Sequence, residues 1–110
     1  QKVARGEDLL TGYSKIVRMG PGEIYAGGTT IASHDVARIG IGVMIERAKE
    51  EDTEWSLYDA WNKFLENTDR VSSKEYMDVE GDYYYRVRCV HSANDDVSSS
   101  FTDGVYIEEP

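Results

Sequence analysis

The clearest signal along the chain is an alternation of apolar positions with polar or small ones. One side of the first run carries Ile39, Ile41, Val43 and Ile45, and the other carries Arg38, Gly40, Gly42, Met44 and Glu46. A second run places Tyr83, Tyr85, Val87 and Cys89 on one side and Tyr84, Arg86, Arg88 and Val90 on the other. Because successive side chains of a strand point to opposite faces, both runs predict half-buried β-strands.

Shorter β-like runs lie between groups of turn-forming residues. The runs are Tyr13 to Met19, Ile24 to Tyr25, Thr29 to Ala32, Val71 to Val79 and Val97 to Ile107. The predicted turns and bends are Gly20-Pro21-Gly22, Gly27-Gly28, Asn67 to Asp69, Glu80-Gly81-Asp82, Asn94-Asp95 and Asp103-Gly104, and Glu50 to Asp52 is predicted to be a solvated loop. About seven strands at this spacing predict an all-β fold, an immunoglobulin-like antiparallel β-sandwich.

The segment from Trp55 to Glu66 fits two structures. Leu57, Tyr58, Trp61, Phe64 and Leu65 have helical spacing, so a short helix over residues 55–65 is one alternative. Trp55, Leu57 and Trp61 also fit one face of a strand, and strands on both sides favour that reading. We therefore predict a strand, with Trp61 buried and the segment paired beside residues 39–45 or residues 71–79.

Length and cysteine content limit the architecture. At 110 residues the chain fits one domain, predicted over residues 11–110 and preceded by a loosely ordered arm over residues 1–10. The single Cys89 excludes an internal disulfide framework and a cysteine-rich zinc site. A first residue other than Met is expected of a processed chain, and we predict removal of an export signal and a secreted or cell-surface location.

Charge narrows the class of partner. The chain contains 12 basic and 21 acidic residues, so its formal net charge is -9. A phosphate backbone would be repelled by such a chain, and nucleic acid is not an expected partner. The sequence contains no apolar run close to the ~20 residues that cross a bilayer, so no membrane span is expected.

A family resemblance rests on the second alternating run. Residues 81–94, Gly-Asp-Tyr-Tyr-Tyr-Arg-Val-Arg-Cys-Val-His-Ser-Ala-Asn, resemble the penultimate strand and hairpin of fibronectin type III and related immunoglobulin-like domains. Continued through residues 98–107, the stretch also resembles small exported proteins of unknown function from gut Firmicutes, a weaker likeness that extends over residues 39–61. The resemblance implies a sandwich fold and export, and it transfers no activity and no site residues.

No catalytic or metal-binding pattern stands out. His34 and His91 are far apart in sequence and are interpreted as loop and strand-end histidines without a role, so no catalytic residue is predicted. Cys89 is predicted to be an inert core thiol. The acidic residues cluster in predicted loops without EF-hand spacing, so no metal site and no cofactor are predicted, although calcium binding by these loops stays open. The glycines at 40 and 42 lack the third glycine of a dinucleotide fingerprint, and we expect an aromatic ring, Tyr84 or Trp55, to lie across one of them.

The aromatic side chains are the remaining candidates for a binding site. Exposed rings stack on sugars or anchor protein partners, which makes Trp55, Tyr58, Trp61 and Tyr84 the candidate ligand-binding residues. The alternative is that these rings fill the core. The sequence predicts an exported, non-catalytic interaction or structural module, a monomer or weak homo-oligomer, whose partner is an unknown protein or glycan. Alternatives are a carbohydrate-binding module, an oligomerising unit with a covered strand edge and, last, an enzyme.

Overall fold

The computed structural model describes residues 7–110, which form six β-strands and no helix. The strands are β1 (Leu9–Gly20), β2 (Glu23–Ala48), β3 (Ser56–Asp78), β4 (Tyr83–Ala93), β5 (Asp96–Phe101) and β6 (Val105–Ile107). The all-β prediction is confirmed. No helix that could span a bilayer occurs among these residues.

Strand β2 is the centre of one antiparallel sheet. Its first half lies between β1 and β3, since Ile24 pairs with Arg18 on one side and Met77 on the other. Its second half lies between β3 and β4, since Ile41 pairs with both Lys63 and His91. Strands β5 and β6 pair with successive parts of β4. The sheet curls into an antiparallel half-barrel, and the predicted seven-stranded sandwich is not confirmed.

The strand count differs because two long strands bend without breaking. β2 continues through residues 32–35 without a turn, although its pairing with β3 is irregular between Ile31 and Val36. β3 continues through Asn67, whose φ of 58° lies in the left-handed region that asparagine tolerates. The predicted turn at residues 67–69 is therefore wrong, and this asparagine bends a continuous strand. In contrast, the last predicted strand is divided into β5 and β6 around Asp103.

The segment after Trp55 is a strand, as predicted. It pairs with β2 through Val43 and Trp61, so the helix alternative is excluded. Trp61 packs against the core but is only partly buried. A shift in register between Ile45 and Glu46 marks a β-bulge at Tyr58. The bulge places Leu57 on the outer face of the sheet, where its partner Glu46 lies.

Curling places β1 over β4 and β5 and encloses the core. A Cβ atom on Gly12 would lie 2.3 Å from the His91 ring, so only glycine allows β1 to approach so closely. Ser14 of β1 and Ser100 of β5 are joined by a hydrogen bond of 2.6 Å between their hydroxyl oxygens. Fully buried side chains lie between these layers, including Ile24, Ile39, Ile41, Val43, Ile45, Tyr85, Val87 and Ile107.

The predicted faces of the two alternating runs are confirmed. Cys89 is 1% exposed and Val87 is fully buried, whereas Val90 is 40% exposed. The Tyr85 hydroxyl donates to the Glu80 carbonyl, five residues upstream. The tyrosine corner of immunoglobulin-like domains contains a similar hydrogen bond.

The domain boundary lies partly outside the described residues. Residues 1–6 of the predicted arm are not among them. Leu9 is 2% exposed and begins β1, where its backbone N–H donates to the Asp96 carboxylate at 3.1 Å. The chain from residue 9 onward is therefore packed into the sheet.

Candidate functional site

One cleft joins two of the four predicted ligand-binding residues. Trp55, at the end of the β2–β3 loop, and Tyr84, on β4, line a cleft of about 250 Å³. The other lining residues are Ala48, Lys49, Glu50, Asp52, Thr53 and Glu54. The cleft lies at the end of the sheet where β2 leads into the loop. We name it the Trp55 cleft.

Both aromatic rings of the Trp55 cleft are held in place by their neighbours. The guanidinium carbon of Arg86 lies 4.4 Å from the Trp55 ring centroid, a cation–π contact. A Cβ on Gly104 would lie 2.9 Å from the Trp55 Cη2 atom, so a glycine there lets the indole approach the β5–β6 loop. The Tyr84 ring packs edge-on against Tyr106, with centroids 5.1 Å apart. A rigid aromatic surface loses little conformational entropy when it binds a ligand.

The loop that forms the wall of the Trp55 cleft is fixed by its own hydrogen bonds. The backbone N–H of Lys49 donates to an Asp52 carboxylate oxygen at 2.9 Å, and the backbone N–H of Asp52 donates to the Lys49 carbonyl at 3.0 Å. This closed turn leaves Glu50 and Glu54 exposed beside the rings. The cleft thus combines aromatic surface with three carboxylates and one ammonium group.

A cation–aromatic cluster lies next to the Trp55 cleft. The Arg47 guanidinium carbon is 4.0 Å from the Tyr83 ring centroid and 4.7 Å from the Tyr58 ring centroid. Arg47 also donates to a Glu80 carboxylate oxygen at 2.9 Å. Lys49 lies 4.2 Å from the centroid of Tyr83 and lines both the Trp55 cleft and a second hollow beside this cluster.

The other two predicted ligand-binding residues lie elsewhere. Tyr58 belongs to the Arg47 cluster and packs edge-on against the buried Tyr85, with centroids 5.5 Å apart. Trp61 lies on the core side of β3, and its Nε1–H donates to the Ser73 hydroxyl at 2.8 Å. The two tryptophans therefore form no common platform.

The aromatic ring predicted to cross a glycine is present, but it is a different residue. Phe64 covers Gly40, since a Cβ on Gly40 would lie 2.3 Å from the phenyl Cε1 atom. The guanidinium carbon of Arg38 lies 4.3 Å from the Phe64 ring centroid. Neither Tyr84 nor Trp55 lies across Gly40 or Gly42. The contact depends on the register between β2 and β3, which pairs Gly40 with Phe64 and is not evident from the sequence.

His91 is a core residue, and the strand-end reading of it is wrong. It is fully buried, and burial lowers the pKa of its imidazole to about 4. Its Nδ1 lies 2.7 Å from the Thr30 hydroxyl, and its Nε2 lies 2.7 Å from the Ser100 hydroxyl. Period-two alternation continued from Cys89 would have placed this residue in the core.

The arrangement around His91 resembles a buried polar network more than a catalytic site. Ser100 shares its hydroxyl with Ser14 on the neighbouring strand, and Thr30 takes the place of the acid that orients a catalytic histidine. His34 is exposed and lies 3.1 Å from an Asp8 carboxylate oxygen instead. The two histidines have no partner in common.

Acidic side chains do not converge on a cation site in the described part of the chain. Among residues 7–110, no group of three or more histidine, cysteine, aspartate and glutamate side chains is arranged to hold a metal ion. Asp52 is used by its own turn, and Asp96 accepts hydrogen bonds from the backbone N–H groups of Asp8 and Leu9. These carboxylates serve the local structure.

Comparisons with known proteins show similarity of fold alone. No protein-family model matches the chain, and no curated protein matches it in sequence. The solution structure of CsgH from R. palustris aligns over 84% of this chain and 92% of its own, with a TM-score of 0.50 and 15% identity. Spo0M, a sporulation control protein from Bacillus subtilis, aligns over 92% of this chain and 51% of its own, with a TM-score of 0.45 and 8% identity. The β-rich architecture of the chain is therefore similar to that of CsgH.

Proposed function

We propose that the chain is an exported, non-catalytic interaction module and that the Trp55 cleft is its ligand site. The observation that carries this proposal is the combination, in one small cleft, of two fixed rings with three carboxylates and one ammonium group. No histidine or cysteine lies among the lining residues of the cleft. Such a site recognises a ligand by stacking and hydrogen bonding.

The chemistry of the cleft favours a single sugar ring. Its volume of about 250 Å³ is small for a drug-sized ligand. A pyranose has an apolar face that packs on an aromatic ring, and its hydroxyl groups donate to carboxylates. Tyr84 supplies aromatic surface, and Glu50 and Glu54 supply acceptors that are exposed at the rim. The ligand class that we propose is a neutral glycan, bound through one residue.

A glycan array followed by titration calorimetry tests the proposal. Tyr84→Ala and Glu54→Gln are expected to weaken binding of the selected glycan at least ~10-fold, about 1.4 kcal/mol. Tyr76→Ala is the matched control, because this exposed tyrosine lies on β3 outside the cleft. The proposal fails if no glycan binds, or if the two cleft variants bind as tightly as the unmodified chain.

Export and the immunoglobulin-like relationship belong to the same proposal. The resemblance over residues 81–107 supports both, and the Tyr85 hydrogen bond to Glu80 supports the immunoglobulin-like relationship alone. The link to proteins of gut Firmicutes has no support in the comparisons and stays a prediction. Detection of the chain in the medium or on the cell surface, and not in the cytosol, tests the location.

A further inference from the structure

Strand β3 presents a long edge that has no partner in the described part of the chain. β3 extends over 23 residues and pairs only with β2. A row of backbone donors and acceptors on such an edge is a template for another strand. Five large side chains on β3 are at least 36% exposed, namely Leu57, Tyr58, Phe64, Leu65 and Tyr76, and the first four lie within residues 57–65.

The sequence of this edge reads almost the same in both directions. Residues 57–65 are Leu-Tyr-Asp-Ala-Trp-Asn-Lys-Phe-Leu, with an aliphatic residue at each end, an aromatic residue next to each, and opposite charges at the third position from each end. Trp61 is at the centre. Two copies of such a segment, paired antiparallel, place each residue from Asp59 to Lys63 opposite its counterpart, and the bulge at Tyr58 shifts the pairing beyond Asp59. When two copies are related by a twofold axis, each contact between them occurs twice.

We infer that a second copy of this chain pairs antiparallel with the β3 edge, about a twofold axis at Trp61. In this register Asp59 lies opposite Lys63 of the second copy, and Lys63 lies opposite its Asp59. Ala60 and Asn62 face each other in the same way. Opposite charges directly across an antiparallel pair stabilise it, whereas like charges destabilise it. Neighbouring registers lose both charge pairs.

Charge on the whole molecule favours this edge over other surfaces for self-association. Each copy has a net charge of -9, so most contacts between two copies bring like charges together. The segment from Leu57 to Leu65 contains one aspartate and one lysine and is neutral. The two pairs therefore provide attraction where the rest of the surface repels.

Side-chain facing agrees with the proposed register. Asp59, Trp61 and Lys63 pair with Ile45, Val43 and Ile41, which all face the core, so the three share one side. Phe64 lies on the outer face with Gly40, and the bulge returns Leu57 to that same face. Leu57 is 63% exposed and Phe64 is 47% exposed, and each comes within reach of the other on the second copy.

Pairing replaces two local hydrogen bonds. The backbone N–H of Ala60 donates to the Asp59 carboxylate at 2.8 Å, and the Lys63 ammonium donates to the Ser72 carbonyl at 3.2 Å. Both bonds are exposed, so water can replace them when the partner strand binds. A partner strand offers Asp59 a cation and offers Lys63 a carboxylate, so the exchange favours a weak, reversible dimer.

Sedimentation velocity from about 10 µM to about 1 mM tests this inference, with charge variants in the purified chain. Lys63→Glu and Asp59→Lys each turn two attractive pairs into repulsive ones, and each is expected to raise the dimer dissociation constant at least ~10-fold. The double variant Asp59→Lys with Lys63→Asp restores both pairs and is expected to recover the dimer. Arg70→Glu is the control for Lys63→Glu, because it makes the same charge change on β3 outside the register.

A second measurement locates the contact. Nitroxide labels on Asn62→Cys are expected to show dipolar broadening at high concentration, whereas labels on Ser99→Cys, an exposed position of β5, are not. A chain that stays monomeric up to about 1 mM overturns the inference. So does a folded double variant that fails to recover the dimer, or broadening that is equal at both positions. None of these results depends on a glycan, so the proposed ligand site is tested separately.

Discussion

The phenyl ring of Phe64 on β3 lies across Gly40 of β2 and occupies the space that a side chain at position 40 would need. Gly40→Ala puts a Cβ 2.3 Å from the phenyl Cε1 and 2.9 Å from the Ser92 Oγ, so the ring must move away. We expect a loss of about 1 kcal/mol in the free energy of unfolding. In a Phe64→Ala background the same change is expected to be neutral or stabilising, because the ring is gone, the Ser92 hydroxyl can rotate away, and alanine suits a strand better than glycine. A double-mutant cycle by chemical denaturation measures the coupling, and strict additivity would contradict it.

Val87 and Val90 lie on opposite faces of one strand and give a matched pair of substitutions. Val87 is fully buried, so Val87→Asp places an unpaired charge in the core, which costs several kcal/mol of a total of roughly 5 to 15. We expect this variant to be unfolded, as judged by near-ultraviolet circular dichroism. Val90→Asp, at a position 40% exposed, is expected to melt cooperatively. A folded Val87→Asp variant would show that the facing of β4 is wrong.

The Cys89 thiol is expected to react slowly with thiol reagents. It is 1% exposed, burial raises its pKa, and its sulfur lies 3.8 Å from the Gly27 carbonyl oxygen. Modification therefore requires opening of the sheet. Cys89→Ser combined with Ser99→Cys provides an exposed thiol in the same fold for comparison. Equal labelling rates for the two chains under native conditions would rule out the buried position.

His91 is expected to make the domain acid-sensitive. Its folded pKa is about 4, below the ordinary value of 6.5, so the unfolded chain binds the proton first. The free energy of unfolding should therefore fall as the pH drops from about 6.5 to about 4, by about 1.4 kcal/mol per unit at most. Denaturation at several pH values measures this slope, and the imidazole resonance of His91 gives the pKa directly. His34→Asn is the control, and a His91 resonance that titrates near 6.5 would refute the prediction.

The buried face of each alternating run can be predicted from the sequence, because one face of the strand packs into the core and the other faces away from it. For β4 and the second half of β2, a period of two residues is enough to assign every buried side chain. The same reasoning, extended by two residues, would have included His91. A polar residue two positions before the end of a strand is compatible with exposure, and only the packing of β1 over β4 shows that His91 is enclosed.

The strand count and the Trp55 cleft could not be predicted in the same way. Asparagine is a typical turn residue, and only the left-handed φ of Asn67 within a continuous strand shows that it bends β3. Trp55 and Tyr84 are 29 positions apart, and they meet because the β2–β3 loop folds back over β4. Such contacts depend on the curl of the sheet, which one sequence does not encode in any local pattern.

The continuity of β2 determines how the molecule unfolds. The 26 residues of β2 are shared by both halves of the curled sheet and have a partner on each side through most of their length. Although the pairing of β2 with β3 is irregular between Ile31 and Val36, both halves bury their side chains in one core, so we expect a single cooperative transition. Amide hydrogens of Ile41 and Val43 should exchange with solvent only when the entire domain opens, and so report its global stability.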